Sequence, residues 1–104
     1  MKKLLSMLGI GRKAGLIISG EMGCIQSLKE RKSKLLIIAS DASDNTKSKF
    51  QSICNQKNIR YLEIGQKVEL GESIGKGLTS VISVNDEAFS KALLKIIDKI
   101  TTCK

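Results

Sequence analysis

The sequence predicts an α/β sandwich. Short apolar, strand-like runs alternate with segments of helical periodicity. One of those runs, Leu35-Leu36-Ile37-Ile38-Ala39, is apolar without interruption, as suits a strand covered by helices on both faces. The chain has 104 residues, 41% hydrophobic and 27% charged, which fits one globular domain spanning 1–104. No apolar stretch approaches the roughly 18 residues needed to cross a bilayer.

Each element follows from local pattern. Lys2 to Lys13 reads as helix, with Leu4, Leu5 and Leu8 on one face and Gly15 as its stop. Leu16-Ile17-Ile18 is a short strand ended by Ser19-Gly20. Glu21 to Arg31 reads as a second helix, with Cys24, Ile25 and Leu28 inward and Glu21 at the positive end of its dipole. After the buried strand at 35–39, Ser40-Asp41-Ala42-Ser43 offers turn and cap residues. A third helix is expected from Asn45 to Gln56, with Phe50, Ile53 and Cys54 inward. Arg60 to Ile64 alternates as a strand, Val68 to Ile74 is a short helix, and Thr79 to Val84 is the last strand. Asn85-Asp86 caps a final helix. Its stripe of Ala88, Phe89, Ala92, Leu93, Ile96, Ile97 and Ile100 is expected to face inward. Proline is absent, so loops rely on glycine and on Asx or Ser turns.

Charge is unevenly placed. There are 18 Lys and Arg against 10 Asp and Glu, a net of +8. Residues 1–34 hold eight basic and two acidic residues, a net of +6. Basic charge gathered in one third of a chain suggests a face for a polyanion. Histidine is absent, which removes the usual general base and the commonest metal ligand. Cys24, Cys54 and Cys103 are odd in number and widely spaced, so reduced thiols in a cytoplasmic protein are expected, with no cofactor and no metal. Three aromatic residues, Phe50, Tyr61 and Phe89, are too few for a base-stacking platform.

Two apparent nucleotide motifs fail. Gly9-Ile10-Gly11-Arg12-Lys13-Ala14-Gly15 has its third glycine one residue late and follows a helix rather than a strand. Gly71-Glu72-Ser73-Ile74-Gly75-Lys76-Gly77 is one residue short of a phosphate-binding loop and has glycine where a metal-binding hydroxyl belongs. No catalytic constellation remains, so no enzyme is expected. Two glycine-rich segments do fit ligand approach: Ser19-Gly20-Glu21-Met22-Gly23 at a helix start, and Leu70 to Gly77 before the last strand.

Those segments, in this order, resemble the L7Ae/L30e ribosomal protein family, which binds kink-turn RNA. Gly20, Leu28, Lys34, Leu35, Ile37, Ile38, Ala39 and Asp41 match the family's order of helix-opening glycine, basic turn and apolar strand ending in aspartate. Leu70-Gly71 and Gly75 look like its Leu-Gly segment, and the whole chain is closest to the short bacterial, ribosome-associated members. The resemblance implies a three-layer α-β-α sandwich with a mixed central sheet of about four strands. The family's helix start reads Gly-x-Asn-Glu with Lys three residues on, and those side chains read sheared G·A pairs and hold phosphate. Here Met22 stands at the Asn position, Gly23 at the Glu position and Gln26 at the Lys position.

The expected function is non-catalytic binding of structured RNA, a kinked internal loop in ribosomal or regulatory RNA, by a monomer without membrane contact. The expected site comprises Gly20, Glu21, Met22, Gly23, Gln26, Lys29 and Asp41 on one side, and Gly75, Lys76 and Gly77 as a second lip. Lys32 is expected to supply charge along the helix with Lys29, and Arg12, Lys13 and Arg31 are candidate outer phosphate contacts. Two alternatives stand beside it. One is a protein-interaction module on the same fold, favoured by the missing Asn, Glu and Lys. The other is an RNA substrate-binding domain like those preceding some RNA methyltransferase domains.

Overall fold

The computed structural model describes residues 1–102. The elements are α1 (Lys2–Lys13), β1 (Ile17–Ser19), α2 (Glu21–Lys29), β2 (Leu35–Ile38), α3 (Asp44–Lys57), β3 (Tyr61–Glu63), α4 (Lys67–Ser73), β4 (Val81–Val84) and α5 (Glu87–Thr102). The strands form one four-stranded sheet in the order β1-β4-β2-β3. It is mixed: β4 runs antiparallel to β1 and β2, while β3 runs parallel to β2. Helices α1, α4 and α5 pack together, α2 packs on α3, and the two groups cover the two faces of the sheet. This is the three-layer sandwich the sequence predicts.

The central strands explain the arrangement. Every residue of β2 and β4 is buried, so neither face of these strands meets water. Ile37 pairs with Ile82 on one side and Leu62 on the other. One polar residue, Ser83, lies inside this layer with no exposure. Its hydroxyl lies 2.8 Å from Ser33 Oγ and 2.6 Å from Asn85 Oδ1, and the Asn85 amide donates to Ser27 Oγ at 3.1 Å. A buried hydroxyl without partners would cost about 1–3 kcal/mol, so this network makes Ser83 tolerable and ties β4 to the end of α2.

Two glycines inside α1 are packing residues. A Cβ on Gly11 would sit 2.6 Å from a Phe89 ring carbon, and one on Gly9 would sit 2.7 Å from the Ser73 backbone carbonyl. Their absence of side chains lets α1 approach α5 and α4 closely. Gly15 ends α1 at φ +73°, the left-handed stop expected of it.

The structure corrects several boundaries. Helix α2 ends at Lys29, not Arg31. Arg31 is left-handed, at φ 58°, and the Lys32 and Ser33 amides fold back onto the Ser27 carbonyl at 2.9 and 3.3 Å. Thr79 and Ser80 precede β4 rather than joining it, because the Thr79 amide donates to the Lys67 carbonyl at 3.1 Å. Phe89, Leu93 and Ile97 are buried as expected, but Ala88 is exposed and Ala92 and Ile96 are half-buried. The apolar stripe of α5 is therefore wider than the core beneath it.

Cys24 and Cys54 are buried free thiols. Burial pushes Cys24 up to about 12 and Cys54 up to about 11, so neither is a nucleophile at neutral pH. Cys103 lies outside the described residues. No described helix is long and apolar enough to cross a membrane.

Candidate RNA interface

The adjacency of β1 and β4 assembles the site. Strand β1 delivers the chain to Gly20, and β4 begins at Val81 directly after the 75–80 loop. The Gly20 amide donates to the Val81 carbonyl at 3.2 Å, which fixes the helix start beside that loop. Gly20 caps α2 at φ 90°, ψ 153°, a conformation essentially reserved for glycine. Nothing lies within 4 Å of the place a Cβ would take there, so the backbone is open to a ligand. The α2 N-terminus adds free N–H groups and partial positive charge.

The second lip is built on Gly71. Its Cα faces the 75–77 loop so closely that a Cβ would fall 1.5 Å from the Gly77 carbonyl oxygen. The Lys76 amide donates to the Gly71 carbonyl at 2.8 Å, the Gly75 amide to the Glu72 carbonyl at 3.2 Å, and the Thr79 hydroxyl to the Gly77 carbonyl at 3.3 Å. Gly75 turns the chain at φ +71°. Arg12, from the last turn of α1, reaches this lip: its Nη1 lies 3.5 Å from where a Gly75 Cβ would be. Arg12 and Lys76 together flank a cleft of about 230 Å³ whose remaining lining is Ile17, Ile18, Ser19 and Ile74. Neither cation has an acidic partner among the described residues. An anion entering here meets two unneutralised cations beside a helix N-terminus, a geometry suited to phosphate.

The predicted residues divide into two groups. Gly20, Met22, Gly23, Gly75, Lys76 and Gly77 gather along this edge. Met22 is 87% exposed, so its thioether presents an apolar surface to solvent at the helix start. Gly23 is tight for an internal reason: a Cβ would lie 2.7 Å from Ile18 Cγ2. Lys29 is exposed and without a partner among the described residues.

The other residues are already engaged. Glu21 accepts from Lys49 Nζ at 2.8 Å and from the Thr46 hydroxyl at 3.2 Å, so it ties α2 to α3. The Lys49 ammonium holds its carboxyl below the usual carboxylate range. Asp41 accepts from the Lys67 amide at 2.8 Å and so caps α4. Gln26 donates to Glu30 one turn on, and Glu30 also pairs with Lys32 at 3.1 Å. The Gln26 amide and Lys32 hold the Glu30 carboxyl below its ordinary range as well. Gln26 and Lys32 therefore share a carboxylate that any incoming phosphate must displace.

Sequence reading missed Ile17 and Ile18 as cleft lining, whereas Ser19 and Ile74 fall inside the two glycine-rich segments without being named as site residues. No local signal marks the two isoleucines, since Ile18 reads as an ordinary strand residue until its 40% exposure is known.

The chain has relatives in sequence and in fold. The model of the Ribosomal protein L7Ae/L30e/S12e/Gadd45 family matches residues 2–94. The Bacillus subtilis (strain 168) protein named RNA-binding protein YlxQ is 33% identical over 92 residues, 88% of this chain and 92% of that one. A solved Bacillus halodurans protein of unknown function superposes with a TM-score of 0.89 at 34% identity, covering 94% of this chain and 99% of its own. The 15.5kD RNA binding protein of Giardia lamblia superposes with a TM-score of 0.77 at 26% identity, covering 97% and 87%.

Proposed function

The chain belongs to the Ribosomal protein L7Ae/L30e/S12e/Gadd45 family, and from that premise we propose that it binds structured RNA, a kinked internal loop, as a non-catalytic, ribosome-associated cytoplasmic protein acting as a monomer. The observation that carries this reading is the convergence of Arg12, Lys76 and the open Gly20 helix start on one edge of the molecule. The RNA-binding names of the Bacillus subtilis and Giardia lamblia relatives support it, as does the net charge of +8. In this reading the RNA backbone lies across Gly20, its phosphates meet Arg12, Lys76 and Lys29, and Met22 packs against the exposed edge of the kink. Gly23 offers backbone only, and Gln26 reaches the RNA once it leaves Glu30.

The test is a titration with a kink-turn RNA and a matched unkinked duplex at one salt concentration. The kinked RNA is expected to bind more tightly. Equal affinities would leave only nonspecific electrostatics and favour the protein-interaction reading, for which the engaged Gln26 is the supporting observation.

Charge makes a second expectation. Each phosphate contact releases counterions, so affinity falls as salt rises. Arg12→Ala and Lys76→Ala are each expected to reduce the salt slope by roughly 1 and to weaken kinked and duplex RNA about equally. Binding measured from low to high salt checks this. An unchanged slope in both variants would place the phosphates elsewhere.

A further inference from the structure

We propose that the groove between α1 and α5 is a docking surface for an acidic amphipathic helix of a partner protein. The surplus apolar edge of α5 forms its floor. Ala88, Ala92 and Ile96 recur every four residues and so lie in one row. Met7 of α1 faces them across a groove of about 430 Å³. Lys3 on α1 and Lys91, Lys95 and Lys99 on α5 supply the charge along it, all four exposed, and no acidic residue lines it. A second depression of about 280 Å³ shares Lys3 and Ile96 and continues to Met1 and Ile100. From Ala88 to Ile100 the floor runs ~18 Å at 1.5 Å per residue, the length of about three turns of a bound helix.

The chemistry selects the occupant. An elongated concave apolar floor fits side chains spaced i, i+3, i+4 and i+7 on a helix. The lysine rim requires carboxylates beside them. A second copy of this chain would bring its own +8 and the same lysines against the rim, so self-docking is opposed. A bilayer surface accepts a protruding apolar face, not a concave one. RNA phosphates would meet the lysines but leave Met7, Ala92 and Ile96 uncovered. Lys3 and Arg12 lie at opposite ends of α1, ~14 Å apart along its axis. The groove and the basic cleft can therefore be filled together.

The test uses the full chain, isotope-labelled for NMR, and a designed helical peptide of about 16 residues with leucines on one face and glutamates flanking them. A matched peptide carries lysine in place of every glutamate. The acidic peptide is expected to shift the amides of Met7, Ala92 and Ile96 and to leave those of Gly20 and Gly75 unmoved. The lysine peptide should bind at least about tenfold more weakly, as should the acidic peptide to the Lys91→Glu, Lys95→Glu double variant. Both positions are exposed, so that variant is expected to keep its circular dichroism spectrum and its preference for kink-turn RNA over the matched duplex. Absence of shifts at millimolar acidic peptide overturns the assignment, as does equal binding of the two peptides. Kink-turn RNA that shifts Ala92 and Ile96 would make the groove an RNA surface instead. Dimerisation in sedimentation that strengthens in the double variant would make it a self-interface.

Discussion

Gly71→Ala is expected to destabilise the protein by about 2–4 kcal/mol, combining overpacking with lost loop hydrogen bonds. The added Cβ would sit 1.5 Å from the Gly77 carbonyl oxygen and 2.6 Å from its carbon. These are backbone atoms, so no rotamer change relieves the overlap and the loop itself must move. Moving it breaks the Lys76–Gly71 and Thr79–Gly77 hydrogen bonds, and it carries Lys76 away from Arg12. For a domain of this size the loss corresponds to a fall in Tm on the order of 10–20 °C. Gly77→Ala is the control. Its Cβ would meet nothing within 4 Å and its φ is not left-handed, so Tm should hardly change. Thermal unfolding of the two variants checks the contrast, and a Gly71→Ala protein as stable as the parent would refute the packing account. At a temperature where Gly71→Ala stays folded, its kink-turn affinity should fall as well. Unchanged affinity would remove the 75–77 loop from the interface.

Restoring the family's helix-start triplet should strengthen kink-turn binding at least about tenfold. Charge-assisted hydrogen bonds contribute about 1.5–3 kcal/mol, and 1.4 kcal/mol is tenfold in affinity. Met22→Asn supplies a donor and acceptor where a solvent-exposed thioether now stands. Gly23→Glu supplies an acceptor for guanine amino and imino groups, and it removes a helix glycine that costs about 1 kcal/mol relative to alanine. Gln26→Lys supplies a phosphate contact. Two effects oppose the gain. The new Cβ at position 23 presses on Ile18 Cγ2 at 2.7 Å, a methyl on a branched Cβ, so the Ile18 rotamer or β1 must shift. Glu30, now bonded to Gln26, will also attract the new lysine. Adding Ile18→Ala to the triple variant removes the methyl in question and separates the steric cost from the RNA contact. The measurement is affinity for a standard kink-turn at fixed salt, with folding checked by circular dichroism. If the folded triple variant binds no better with or without Ile18→Ala, this helix start is built for a different ligand.

The same residues show how much of the site was legible beforehand. Gly20 could be singled out as a turn because a glycine between a strand and a helix start suits a positive φ, and its φ is 90°. Gly75 stood out in the glycine-rich 70–77 segment and through the family resemblance, and it turns the chain at φ 71°. Glu21 and Asp41 could not be sorted from their positions in the chain. A carboxylate at a helix start can meet a ligand, a neighbouring helix or a loop amide, and only the placement of Thr46, Lys49 and Lys67 decides which. Gln26 was obscured by a partner on its own helix, Glu30, whose spacing of four residues was visible but whose bond competes with solvent.

What the sequence determined by itself is the set of elements and most of the core, the outer edge of the α5 stripe excepted. Both are written in short windows: an uninterrupted apolar run makes β2 a doubly covered strand, and a broad apolar stripe makes α5 a packing helix. What only the tertiary structure decided is which distant residues meet. The β1-β4-β2-β3 order sets β4 beside β1, and that adjacency brings the Gly75 loop to the Gly20 helix start. Close approach of α1 through Gly9 and Gly11 then aims Arg12 at the same lip and leaves an apolar groove along α5. The physical reason is range. Periodicity and capping act over one or two helical turns, whereas strand order and helix approach are fixed by long-range packing that no local pattern encodes.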